Sequence, residues 1–179
     1  SLHDALPILQ RLINLKVDVN AKENVQGQTA LMWAAAGGHT DVVRALIAAA
    51  ADPNAVARPN SLPRVGKLDA GRMWVDHSSG GLSTLMFAAR HGQLESAREL
   101  LKAGANPKYS NPDGITPLLI AVINDHMDLA AMLLEAGADP NEVVMPRFRL
   151  RQRGVTDRVA DVSKPGTSAL AFAVVNAHY

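Results

Sequence analysis

Internal repetition constrains this chain more than any other feature. Four segments share one pattern: Gly27-Gln-Thr-Ala-Leu-Met-Trp-Ala-Ala35, Gly81-Leu-Ser-Thr-Leu-Met-Phe-Ala-Ala89, Gly114-Ile-Thr-Pro-Leu-Leu-Ile-Ala-Val122 and Gly166-Thr-Ser-Ala-Leu-Ala-Phe-Ala-Val174. A second block follows three of them: Asp41-Val-Val-Arg-Ala-Leu-Ile47, Glu95-Ser-Ala-Arg-Glu-Leu-Leu101 and Asp128-Leu-Ala-Ala-Met-Leu-Leu134. A third block closes each unit: Ala50-Ala-Asp-Pro-Asn54, Gly104-Ala-Asn-Pro-Lys108 and Gly137-Ala-Asp-Pro-Asn141, with an earlier copy ending Lys16-Val-Asp-Val-Asn20. Leu85 and Leu118 stand 33 residues apart, whereas Leu31 to Leu85 is that period plus 21 and Leu118 to Leu170 that period plus 19. A unit of this length cannot bury its apolar face alone, so the units must stack on one another.

Each unit reads as helix, tight turn, helix, loop. Thr29, Ser83, Thr116 and Ser168 place a hydroxyl where a helix N-cap needs one. Pro117 follows one of them, in the first turn, where proline is tolerated. Gly104 and Gly137 follow the second helices, as left-handed C-cap residues do. Ala50 and Lys16 replace that glycine, so these two caps are expected to be strained or differently shaped. Alanine pairs such as Ala34-Ala35 and Ala88-Ala89 permit close helix approach.

These residues resemble the ankyrin repeat family. The resemblance covers most of the chain outside two insertions and implies an all-α solenoid of stacked antiparallel helix pairs with finger loops, here lengthened by the insertions into candidate β-hairpins. It gives a single domain over 1–179, cut at both ends. Its parts are a partial repeat 1–26, a repeat 27–55 with insertion 56–80, a repeat 81–113, a repeat 114–142 with insertion 143–165, and a partial repeat 166–179. The family's Thr-Pro-Leu-His tetrad appears as Thr29-Ala-Leu-Met32, Ser83-Thr-Leu-Met86, Thr116-Pro-Leu-Leu119 and Ser168-Ala-Leu-Ala171. None has the histidine, so the hydrogen bond made there is not expected in its usual form.

Three columns attract chemical readings. His39, His126 and His178 share a register position with Gln93, but they stand whole repeats apart, and a metal needs its ligands about 2–2.6 Å from one ion. They read as turn histidines. Asp18, Asp52 and Asp139, with Asn106, read as turn-capping residues rather than as acid–base pairs. Trp33, Phe87, Ile120 and Phe172 form a large apolar column, read as buried between units in preference to lining the groove. No nucleophile-elbow, phosphate-loop or zinc-helix motif is present. The expectation is no catalytic, cofactor or metal residue, no cofactor, and no enzyme.

The insertions carry what the repeat does not dictate. Arg58, Arg64, Lys67 and Arg72 against Asp69 and Asp76 give the first a net +2. Arg147, Arg149, Arg151, Arg153, Arg158 and Lys164 against Asp157 and Asp161 give the second +4, leaving −5 on the repeat body. Over Arg147–Arg153 the arginines alternate with Phe148, Leu150 and Gln152, so an extended strand separates an arginine face from one bearing Phe148 and Leu150. Trp74 sits in the first insertion beside Met73 and Val75. The candidate partner-binding residues are therefore Arg147, Phe148, Arg149, Arg151, Arg153, Arg72 and Trp74.

The resemblance implies a protein–protein interaction module that binds a partner through its finger loops and concave groove, and the charge pattern points to a partner with an acidic surface. One alternative is a regulatory or targeting segment of a larger enzyme. A weaker one is nucleic-acid binding by the Arg147–Arg153 strand, which the acidic body opposes. The chain has no cysteine and no apolar run long enough for a membrane span. None of this fixes a compartment. The stretch Ser1–Ile8 resembles a translated sequencing adapter and is expected to contribute nothing specific; both ends read as cuts in a longer protein.

Overall fold

The chain's computed structural model describes residues 2–59, 80–112 and 114–142. The described residues form α1 (Leu2–Asn14), α2 (Ala30–Ala36), α3 (Thr40–Ala48), α4 (Thr84–Arg90), α5 (Leu94–Lys102), α6 (Pro117–Ile123) and α7 (Met127–Glu135). Among the described residues, the pairs α2/α3, α4/α5 and α6/α7 form three stacked helix pairs. First helices stack in the order α2, α4, α6, and second helices in the order α1, α3, α5, α7. Residues 2–8 of the adapter-like stretch lie within α1. The partial repeat 166–179, with its Ser168 cap, lies outside the described residues.

Capping explains where the first helices begin. The Thr29, Ser83 and Thr116 hydroxyls accept the backbone N–H groups of Met32, Met86 and Leu119 at 3.4, 3.4 and 3.2 Å. Two caps are reciprocated from the position of the missing histidine. The Thr29 N–H donates to Met32 Sδ at 3.5 Å and the Ser83 N–H to Met86 Sδ at 3.4 Å. A thioether thus occupies the role that Glu or Gln plays in a capping box, as a weaker acceptor. Leu119 has no acceptor to return the bond.

The core runs along the stack. Leu31, Leu85 and Leu118 are each 1% exposed, and their second-helix partners Leu46, Leu100 and Leu133 are equally buried. Burying each such leucine stabilises by about 1.5–3 kcal/mol. Ala35, Ala88 and Ala89 are buried between them and let the helix rows approach closely. In α1, Leu12 occupies the column of Leu46 yet is 44% exposed.

The second helices end as the sequence requires. Gly104 and Gly137 have φ of +89° and +92°. Ala50 and Lys16 adopt the same left-handed form, at +65° and +57°, so the caps keep their shape and the side chains bear the strain. The Asp18, Asp52, Asn106 and Asp139 side chains each accept the N–H two residues on, at 2.9 Å, as turn residues do.

Candidate partner-binding face

Between helix pairs the chain projects into fingers, each organised by a polar side chain. In the first, the Glu23 carboxylate accepts N–H groups from Val25, Gln26 and Gln28 at 2.6, 2.6 and 3.1 Å. These bonds, that from Gln28 foremost, hold its carboxyl below the ordinary glutamate value. Arg58 reaches across from the next finger, donating to the Asn24 carbonyl at 2.7 Å.

The root of the first insertion is a short antiparallel ribbon. Val56 bridges Ser83 and Pro59 bridges Gly80. The Ala57 N–H donates to Leu82 O, the Gly81 N–H to Arg58 O, and the Arg58 N–H to Gln26 O in the preceding finger. The two ends of the insertion therefore belong to the finger scaffold, while 60–79 lie outside the described residues. The following finger clasps this root. Tyr109 donates its hydroxyl to Gly81 O at 2.9 Å, and Asn111 Nδ2 donates to Gly80 O at 3.1 Å. Gly81, at φ +65°, must be glycine, because a Cβ there would lie 2.8 Å from Pro112 Cδ. At the root of the second insertion, the Thr116 hydroxyl donates to the Glu142 carboxylate. Burial pushes the Glu142 carboxyl up.

Asparagines tie unit to unit. Asn20 donates to Ala50 O at 3.2 Å and accepts the Asp52 N–H at 2.7 Å. Asn54 repeats this with Gly104 O and the Asn106 N–H, at 3.0 and 2.8 Å. Lys108 stands in the next position of this column and has neither bond. Sequence reading missed the device, although Asn20, Asn54 and Asn141 recur visibly.

The apolar column on the first helices does not behave uniformly. Ile120 is buried and Phe87 half-buried, but Trp33 is 63% exposed, against the expected burial. Phe87 packs on Met32 of the unit before it and on Ala55 and Ala57 of the ribbon. The unit before Trp33 has no such ribbon, and Ala21, the counterpart of Ala55, is itself exposed. The ring therefore stays in solvent. Arg90, one turn beyond Phe87, is exposed and is the one ionisable side chain on α2, α4 and α6.

The turn positions carry packing rather than ligation. His39, Gln93 and His126 precede α3, α5 and α7 without capping them. Gln93 and His126 instead cover Gly38 and Gly92 of the units before them; a Cβ on Gly92 would lie 2.7 Å from the His126 ring. The ring Nδ1 of His91 lies 3.0 Å from the Phe87 carbonyl. No group of three His, Asp or Glu side chains is placed to hold a metal among the described residues. Arg147, Phe148, Arg149, Arg151, Arg153, Arg72 and Trp74 all lie outside the described residues, as does His178.

Family models described as ankyrin repeats in many copies and ankyrin repeats in three copies match residues 2–58 and 63–144. The chain is an ankyrin repeat protein. Ankyrin repeats are generally protein–protein interaction modules and are typically non-catalytic. A curated relative, the mitochondrial disaggregase of Bos taurus, is 34% identical over 122 residues, covering 59% of this chain and 18% of its own length. The ankyrin stack thus corresponds to under a fifth of that relative. No helix among the described residues is long and apolar enough to cross a membrane.

Proposed function

We propose that this ankyrin stack binds an acidic protein surface through its fingers, the second insertion being the main contact. The observation that carries the reading is the segregation of charge, with +6 on the two insertions against −5 on the repeat body. The roots on which they stand support it. The ribbon holds the first insertion at a finger position, and Glu142 ties the start of the second to the cap of α6. A preformed scaffold limits the ordering cost of association. Arginines suit such a partner because guanidinium pairs carboxylates bidentately. The test replaces Arg147, Arg149 and Arg151 together by Gln, against a partner recovered by pull-down. The expected result is a loss of affinity of about tenfold or more and a flattened salt dependence. Unchanged affinity and salt dependence in a folded triple variant would leave the insertion as a solvated edge.

A second reading makes the stack a regulatory or targeting part of a larger enzyme. The disaggregase match favours it, since a protein named for an activity contains a similar segment over 18% of its length. A parent reading frame encoding a catalytic domain would support this reading, and one encoding only further repeats would remove it.

A further inference from the structure

We infer that two copies of this chain join head to tail, the α6/α7 end of one seating the α1 end of the next, so that the row of second helices continues across the junction. The inference does not rest on the finger reading.

The register of the stack carries it. The left-handed caps are Lys16, Ala50, Gly104 and Gly137, and four residues beyond them stand Asn20, Asn54, Lys108 and Asn141. Asn20 and Asn54 each donate to the cap carbonyl of the following unit and accept the N–H two residues after that cap. Among the described residues the Asn141 side chain makes neither bond, and the Lys16 carbonyl and the Asp18 N–H, which complete that column, are engaged by no other unit. The receiving turn is preformed. Lys16 already holds the left-handed form, and the Asp18 side chain accepts the Asn20 N–H as Asp52 accepts that of Asn54.

The apolar columns break off at the same two ends. Leu94 and Leu101 of α5 pack against the core where α7 follows, whereas their counterparts on α7, Met127 and Leu134, are exposed. At the other end Val17 is exposed, although Ala51, Ala105 and Ala138 in its column are buried. Apolar side chains left open at both ends mark contact sites.

Charge agrees with this register. Arg44 reaches Glu99 across the α3/α5 junction at 3.5 Å. At the new junction those two positions hold Ala131 and Arg11, so no like charges meet, and Glu135 stands one helical turn beyond Ala131. Helix α7 carries Asp128 and Glu135 with no Lys or Arg, and neither acid has an ion-pair partner among the described residues. Helix α1 and its cap offer Arg11 and Lys16 against Asp4. Asp139 and the incoming Asp18 stand to each other as Asp18 and Asp52 do inside the stack. A second copy is the occupant that presents all these groups in the stack's own register. The two faces differ, so the contact is heterologous and adds copies in an open series.

The test is sedimentation velocity on the full chain over a wide range of concentration, with hydrogen exchange of α1 alongside. The expected result is a concentration-dependent series of dimers and longer oligomers, with α1 amides gaining protection as the series grows. Asn141→Ala should weaken association about tenfold through the loss of two hydrogen bonds. Its side chain is exposed, so the fold should not change. Arg11→Glu should weaken association, and Arg11→Glu combined with Glu135→Arg should restore it. Leu12→Glu blocks one end and Leu134→Glu the other, so each alone should stay a monomer, while an equimolar mixture should give a dimer and nothing larger. A chain that stays monomeric at every concentration would overturn the inference. So would dimers of Leu134→Glu alone, which would mean that α1 pairs with α1. Association lost in the Arg147, Arg149 and Arg151 triple variant but kept in Asn141→Ala and Leu134→Glu would overturn it too, by moving the contact to the second insertion.

Discussion

Single residues set the strain in this stack. Ala50 holds φ +65° where Gly104 and Gly137 hold the same cap without a Cβ. The left-handed form costs an L-residue about 1–2 kcal/mol, partly offset by the entropy that glycine loses on folding. Ala50→Gly should therefore stabilise by about 0.5–1 kcal/mol in a denaturant midpoint. The reverse change separates strain from crowding. A Cβ on Gly104 meets nothing within 4 Å, so Gly104→Ala reports that net backbone cost without crowding, about 0.5–1 kcal/mol. Gly92→Ala should cost more, because its Cβ also displaces the His126 ring. Glu142 sets a pH dependence of known sign. Its folded carboxyl titrates above the ordinary value, so the folded state favours the proton, and stability is lost as pH rises through that raised value. Glu142→Gln should match the parent in acid and exceed it at neutral pH, as read by thermal midpoints across pH.

At the scale of the element, Leu118 anchors α6 at 1% exposure. Leu118→Ala should destabilise by about 2–5 kcal/mol, the range for emptying a leucine site. The unit junctions differ in a way that can also be measured. Asn54 fastens the α2/α3 unit to the α4/α5 unit through two bonds, whereas Lys108 offers none at the next junction. Lys108→Asn should restore them and stabilise by about 1 kcal/mol. Much of this level was readable in the sequence. The hydroxyl caps, the glycine stops and the leucine columns follow from local chemistry repeated at a fixed period. The sulfur caps of Met32 and Met86 were not readable, because a thioether acceptor shows only once the turn brings it to the N-cap N–H. Nor was the exposure of Trp33. Its column predicts a common environment, but exposure depends on whether the preceding finger ends in a ribbon, a difference between units that periodicity cannot carry.

For the whole molecule, stability is expected to vary along the stack. The α1 end carries Ile8, Leu12, Leu15 and Val17 at 60%, 44%, 74% and 45% exposure, while α4 and α5 have neighbours on both sides. Units of a repeat array open in proportion to the neighbours they lack. Amide hydrogens of α1 should exchange well ahead of those in α4 and α5. Equal protection along the stack would show one cooperative unit in place of a graded one. Acid acts in the opposite sense at two other carboxylates. Glu23 and Glu99 titrate below the ordinary value, so their contribution is held at neutral pH and lost as pH falls through those lowered values.

The ribbon that pairs residues 55–59 with 80–84 has a consequence for how such a protein can diversify. Its ends are already fastened by Gln26 on one side and by Tyr109 and Asn111 on the other. The free-energy cost of a longer connection rises only logarithmically, about 0.6 kcal/mol per doubling. The ribbon is thus a socket. Sequence can be exchanged beyond it, in length and in charge, without disturbing the register of the helices beneath, so new specificities can be grafted there while the stack stays unchanged.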